Sequence, residues 1–139
     1  MISHSLSSEK KLLLDRISSF LESRSDVFFA YVHGSFVRDE KFADIDIGIF
    51  LREPARLDLL DLELELETAL QSLTRFPVDL RVLNFAPLSF VYNVIKESAL
   101  VVDREPNLRA DFEGKIIKKY LDFALYRMRY LKEIAHAPL

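Results

Sequence analysis

Residues 44–51 read Asp-Ile-Asp-Ile-Gly-Ile-Phe-Leu. Ile45, Ile47 and Ile49 alternate with Asp44 and Asp46, and period two is the signature of an extended strand with one apolar face. The strand sets its two carboxylates on the other face, about 7 Å apart at the backbone. Two like charges that close repel unless a cation sits between them. Upstream, the apolar run Val27 to Val32 delivers the chain to Gly34-Ser35, and a short charged loop, Phe36 to Ala43, joins the two. The stretch 31–50 therefore reads as a metal and phosphate site, and the rest of the chain has to support it.

With 139 residues, half of them hydrophobic, the chain can bury a proper core and reads as one domain over 1–139. A net charge of −3 gives no sign of a nucleic-acid binder. The absence of cysteine excludes disulfides and thiolate metal sites and favours a reducing compartment. No apolar run approaches the roughly 20 residues that span a bilayer. Met1 to Lys11 lacks the apolar core of a secretory signal. A soluble cytoplasmic protein is expected. Charge is uneven: residues 38–80 hold eleven acids against five bases, and residues 104–133 hold eight bases against five acids. A solvated helix face accounts for the basic tail most simply; packing over the acidic middle of the chain, or facing an acidic partner, are the alternatives.

Ser7-Ser8 before Glu9 predicts a helix start, and Leu13, Ile17, Phe20 and Leu21 continue it. Val27–Val32 is short and aromatic, which predicts a buried strand. One helical turn is expected after Gly34-Ser35. The second strand runs from about Asp44 to Leu51. Residues 57–72 alternate Leu and Glu like a strand, but lack β-branched residues before Thr68, so a helix is predicted with Leu59, Leu62, Leu66, Ala69, Leu70 and Leu73 on one stripe. Leu57, Leu60 and Leu64 form a second stripe, read as widening the core contact, with a partner surface as the alternative. Val78–Leu83 predicts a third strand, 87–97 a helix, 99–102 a short edge strand and 107–134 a long helix. That last helix carries two apolar stripes, Phe112/Ile116/Tyr120/Phe123 and Ile117/Leu121/Ala124/Met128/Leu131, more than one core contact needs. The expected fold class is α/β, a small mixed sheet flanked by helices.

The spacing permits definite chemistry. Mg²⁺ takes oxygen ligands, usually one or two carboxylates plus substrate phosphate oxygens. Asp44 and Asp46 would supply the first two, and Asp79 the third if its strand lies alongside. A carboxylate there can also take a proton from an attacking hydroxyl. Gly34-Ser35 can bring backbone amides and a hydroxyl to a phosphate, and Arg38 or Lys41 can neutralise a leaving pyrophosphate. These are the parts of a metal-assisted nucleotidyl transfer. His33 reads as packed under the turn rather than touching a ligand. His4, His136, Lys118 and Lys119 read as solvated, and Tyr120, Tyr126 and Tyr130 as core or interface.

Gly34-Ser35-Phe36-Val37-Arg38, leading to Asp44-Ile45-Asp46-Ile47-Gly48-Ile49, resembles the minimal nucleotidyltransferase family of the DNA polymerase β-like superfamily. Phe76-Pro77-Val78-Asp79-Leu80 is similar to that family's third-carboxylate strand, and the resemblance covers residues 27–83. It implies a palm-like mixed sheet, Mg²⁺ on Asp44, Asp46 and Asp79, and ATP phosphates on Gly34 and Ser35, beside the Arg38 that the residues themselves suggest for nucleotide binding. The loop Phe36 to Ala43 is shorter than is usual there, and Asp39 stands where a glycine often follows the arginine. The resemblance further implies an antitoxin that transfers AMP from ATP to a tyrosine of a HEPN-type RNase toxin, in a hetero-oligomer with it. A protein-binding antitoxin that acts by occlusion, and a small-molecule nucleotidyltransferase, are the competing expectations.

Overall fold

The computed structural model describes residues 7–54 and 58–136. The elements follow one another as α1 (Ser8–Glu22), β1 (Val27–His33), α2 (Ser35–Arg38), β2 (Ile45–Leu51), α3 (Leu59–Thr74), β3 (Val78–Val82), α4 (Leu88–Lys96), β4 (Ser98–Asp103) and α5 (Pro106–His136). Ser7 caps α1, its hydroxyl accepting from the Lys10 amide. The sheet order is β3-β2-β1-β4. β1 is antiparallel to β2 and β4, and β2 is parallel to β3. This is the mixed sheet flanked by helices that the sequence predicts. Several boundaries move by a residue or two: Asp44 precedes β2, Leu83 follows β3, and β4 and α5 each extend beyond the expected range.

The period-two pattern sorts the core into two layers. Ile45, Ile47, Ile49, Val78, Leu80 and Val82 face α1 and α3, where they meet Leu13, Ile17, Leu66 and Leu70. On the other face, Phe29 and Tyr31 pack with Leu83, Val91 and Val94, and with Phe50, Phe112 and Ile116 at the margin. Gly48 lies on this second face because Leu83 leans on it: a Cβ there would meet the Leu83 Cδ2 at 3.0 Å.

The Leu-Glu alternation of α3 has a use that periodicity alone did not show. The Val78, Leu80 and Val82 amides donate to Gln71 Oε1, Glu67 Oε2 and Glu63 Oε2 at 3.0, 2.8 and 2.9 Å. Acceptors four residues apart step about 6 Å along a helix. Alternate strand amides step about 6.6 Å. The two ladders therefore match, and α3 closes the sheet edge that a fifth strand would otherwise seek. Glu67→Ala leaves the Leu80 amide without its acceptor and is expected to cost about 1.5–3 kcal/mol. Glu67→Gln, which keeps an acceptor, costs less. Urea denaturation of the two variants reads the difference; equal losses would mean that the bond to Leu80 does not matter.

The second leucine stripe does not widen the core contact. Leu60 and Leu64 are 66 % and 52 % exposed, because the face turned to the sheet is taken by Leu66, Leu70 and the acceptor ladder. Leu57 lies outside the described residues.

Candidate functional site

β1 ends where Gly34 turns the chain at φ +75°, ψ −153°, a conformation that side chains with a Cβ avoid. Val37 and Arg38 donate their amides to the Gly34 carbonyl, both at 3.1 Å, which makes the single turn α2. A Cβ on Gly34 would lie 2.3 Å from Asp46 Oδ2. The turn is thus pressed against the carboxylate of β2, and only glycine leaves room for both.

Strand register gathers the polar groups. His33 on β1 stands opposite Asp46, Asp46 on β2 stands beside Asp79 on β3, and Ser98 on β4 stands opposite His33. Asp44, exposed, enters from the loop just before β2. The apolar residues of β2 and β3 occupy the opposite face, so the aspartates share theirs. Burial raises the Asp46 pKa first, and the charges of Asp44 and Asp79 raise it further; Arg38 pulls it down. Asp46 thus feels both neighbouring carboxylates, and three acids on one side of the sheet make a hard, all-oxygen donor set, which suits a divalent cation such as Mg²⁺.

The three carboxylates do not converge on a single point. Among the described residues no three such groups form a ready-made metal cage. Arg81 Nε donates to Asp79 Oδ1 at 2.9 Å, and the Asp79 carboxylate raises the Arg81 pKa in return. Arg38 reaches Asp39 at 3.4 Å and Glu97 at 3.8 Å, with more than half its side chain exposed. Asp44 and Asp46 could supply carboxylates to a metal, while Asp79 is engaged by Arg81.

His33 packs edge-on against Phe90, with ring centroids 6.0 Å apart, and its Nε2 is buried without a hydrogen-bond partner. Burial lowers its pKa to about 4, although Asp79 pulls the other way. The expectation of a histidine packed by the turn agrees with this. Protonating His33 favours the unfolded chain. Its contribution is therefore complete above the unfolded pKa of 6.5 and is lost as pH falls toward about 4. The raised Asp46 acts in the opposite sense, so a variant is needed to separate them. Wild type is expected to lose up to about 3 kcal/mol more than His33→Gln between about pH 7 and pH 4. Unfolding curves across that range check it; parallel pH profiles would show that His33 carries none of this dependence.

Lys10 is a residue that sequence reasoning missed. It is only 6 % exposed. Its Nζ donates to the Asp39 carbonyl and lies 5.4 and 5.5 Å from the Phe36 and Phe42 ring centres. Phe42 in turn packs on Phe36 and Phe76. The short acidic loop is therefore held from beneath by a cation and three rings. The available signal was that Lys10 falls on the same helical stripe as Leu13, Ile17 and Leu21.

Two openings flank the sheet. A groove of about 630 Å³ follows the β3 edge, lined by Leu59, Leu60, Asp79, Arg81 and Phe90 among others. A cleft of about 570 Å³ at β4, lined by Tyr31, Arg109 and Glu113, does not touch the aspartates. There Tyr31 donates to Glu113 at 2.6 Å, and burial together with that carboxylate raises its pKa. Arg109 bridges Asp103 and Glu113, a structural network. No described helix is long and apolar enough to cross a membrane.

No curated protein sequence matches the chain. Among solved structures, the chain is similar to an MNT antitoxin in complex with a tri-AMPylated HEPN toxin of Shewanella oneidensis, with 20 % identity, a TM-score of 0.69, and 91 % of this chain and 98 % of that one covered. It is also similar to a chain of the toxin–antitoxin MntA–HepT, at 19 % identity and TM-score 0.68, over 90 % and 98 % of the two chains. A toxin–antitoxin structure with AMP-PNP gives 19 % identity and TM-score 0.66, over 93 % and 99 %. At such identities the likeness speaks for the fold. The family itself is shown by sequence: the model described as polymerase beta, nucleotidyltransferase matches residues 15–107, from within α1 through β4 to the start of α5, and the chain belongs to that nucleotidyltransferase family.

Proposed function

We propose that the chain is an Mg²⁺-dependent adenylyltransferase that moves AMP from ATP to a tyrosine of a HEPN-type toxin and so silences it. The observation that carries the reading is the in-register pair Asp46 and Asp79, with the Gly34 turn pressed against the first of them. The similar structures include a tri-AMPylated HEPN toxin with its antitoxin, and a toxin–antitoxin with AMP-PNP.

Asp44 and Asp46 would hold Mg²⁺, with Asp79 as the third ligand. Once bound, the cation offsets their repulsion and withdraws charge from the phosphates. The Gly34 turn brings backbone close to the phosphates without a Cβ in the way, and the Ser35 hydroxyl adds a donor. Arg38 turns from Asp39 and Glu97 toward the departing pyrophosphate. Asp79, released from Arg81, accepts the proton of the tyrosine hydroxyl, which approaches along the β3 groove. The new bond joins the tyrosine oxygen to the α-phosphorus. The bond from that phosphorus to the bridging oxygen breaks, and pyrophosphate leaves with the electron pair.

The test is to express the product of the neighbouring gene, with and without this chain, and to measure its intact mass and ribonuclease activity. An adenylyl group on tyrosine is expected, with activity falling as that mass accumulates. Silencing with no added mass would instead favour occlusion, for which the exposed Leu60 and Leu64 are the supporting observation.

A further inference from the structure

α5 is longer than the body it packs on. Phe112 and Ile116 reach the second core layer, and Tyr120 stacks on Tyr92 of α4 with ring centroids 3.8 Å apart. Past Tyr120, every described residue except Ala124 is exposed. That stretch extends about 24 Å. It is nevertheless rich in apolar side chains: Leu121, Met128 and Leu131 are 54 %, 68 % and 52 % exposed. An isolated helix of this length is marginal in water and is ordinarily held by packing of its apolar face.

The spacing says what kind of packing. Ile117, Leu121, Ala124, Met128 and Leu131 alternate four and three residues apart. That is the a/d repeat of a helix-to-helix seam. The positions flanking a seam select its partner by charge. Here they are Lys118, Tyr120, Leu125, Arg127, Lys132 and Ile134: three bases, three apolar or aromatic residues and no acid. Lys118 meets Asp122 at 3.2 Å, but on the solvent side and with 79 % of its side chain exposed. A second copy in parallel would set Arg127 against Lys132, base on base.

We propose that the outer half of α5 docks along the Ile117–Leu131 seam against a helix of another protein whose own apolar seam is flanked by acidic residues. The charge of the flanks selects that occupant over a second copy of this chain. This surface lies on a different element from the aspartates, so its occupancy can be measured without nucleotide and fails or stands apart from the transferase reading.

The probe is a synthetic three-heptad helical peptide with isoleucine and leucine at the seam positions and glutamate at the flanks. Its control carries lysine at the flanks. Titrated into the full chain without nucleotide, the glutamate peptide is expected to bind at least about tenfold more tightly than the lysine one. Met128→Glu is expected to weaken that binding by roughly a hundredfold, with no fall in melting temperature because Met128 is exposed. Sedimentation is expected to show the free chain without self-association through this seam. Equal binding of both peptides, indifference to Met128→Glu, a dimer that Met128→Glu dissolves, or binding of anionic vesicles in place of the peptide would each overturn the proposal.

Discussion

Replacing Asp46 by asparagine is expected to lower the rate of the proposed adenylyl transfer by about two to three orders of magnitude and to leave the protein at least as stable as wild type. Both halves follow from the same neighbours. Asp46 sits between Asp44 and Asp79 on a partly buried strand face, and burial together with those charges works against its ionised form. Removing the charge relieves the apo protein, so the urea midpoint stays level or rises. It also removes a carboxylate that the proposed reaction uses, so activity is expected to fall. A residue kept only for structure would lose stability together with activity. Asp44→Asn loses activity in the same way, with less relief because Asp44 is exposed. Transfer rates and urea curves on the same preparations give both readings. A clear fall in the Asp46→Asn midpoint would contradict the electrostatic origin of the effect.

Gly34→Ala is the second large effect. Two costs meet at one position. The backbone lies at φ +75°, ψ −153°, a region whose strain for other residues is about 1–3 kcal/mol. The added Cβ would fall 2.3 Å from Asp46 Oδ2, so either the turn or the carboxylate must move. The variant is expected to lose stability by about that strain and transfer activity by at least about tenfold. Gly48→Ala is the comparison. Its Cβ would meet the buried Leu83 side chain, just past β3, at 3.0 Å rather than 2.3 Å, and its backbone carries no positive φ. It therefore costs less stability and spares the reaction. If the two variants behave alike in both assays, the close approach of turn and carboxylate has no functional weight.

Much of this architecture was legible because it rests on periodicity. The Ile45/Ile47/Ile49 alternation and the Val78/Leu80/Val82 alternation each select a strand and its buried face, and they put Asp46 and Asp79 on the opposite face whatever else the chain does. Gly34 announced a turn because its neighbours are a strand and a charged loop. Other features depend on partners far away in sequence, which a local pattern cannot contain. Glu63, Glu67 and Gln71 look like the solvated side of a helix until β3 arrives to donate to them. Lys10 looks like a surface base until the Phe36 and Phe42 rings close over it. The exposure of Leu60 and Leu64 was hidden for the same reason: two faces of α3 can each look apolar, and only the sheet decides which one is used. Arg81 could be placed beside Asp79 on one strand face, but their hydrogen bond depends on rotamers that alternation does not specify.

The central claim is that the Asp44/Asp46 pair makes this chain a transferase that acts on a protein. The direct measurement is to incubate wild type, and separately the Asp44→Ala/Asp46→Ala variant, with ATP labelled at the α-phosphate, Mg²⁺ and the product of the neighbouring gene. Label is expected to pass to the partner with wild type and to stay in solution with the variant. Equal labelling of the partner by both, or no labelling by wild type, would contradict the claim.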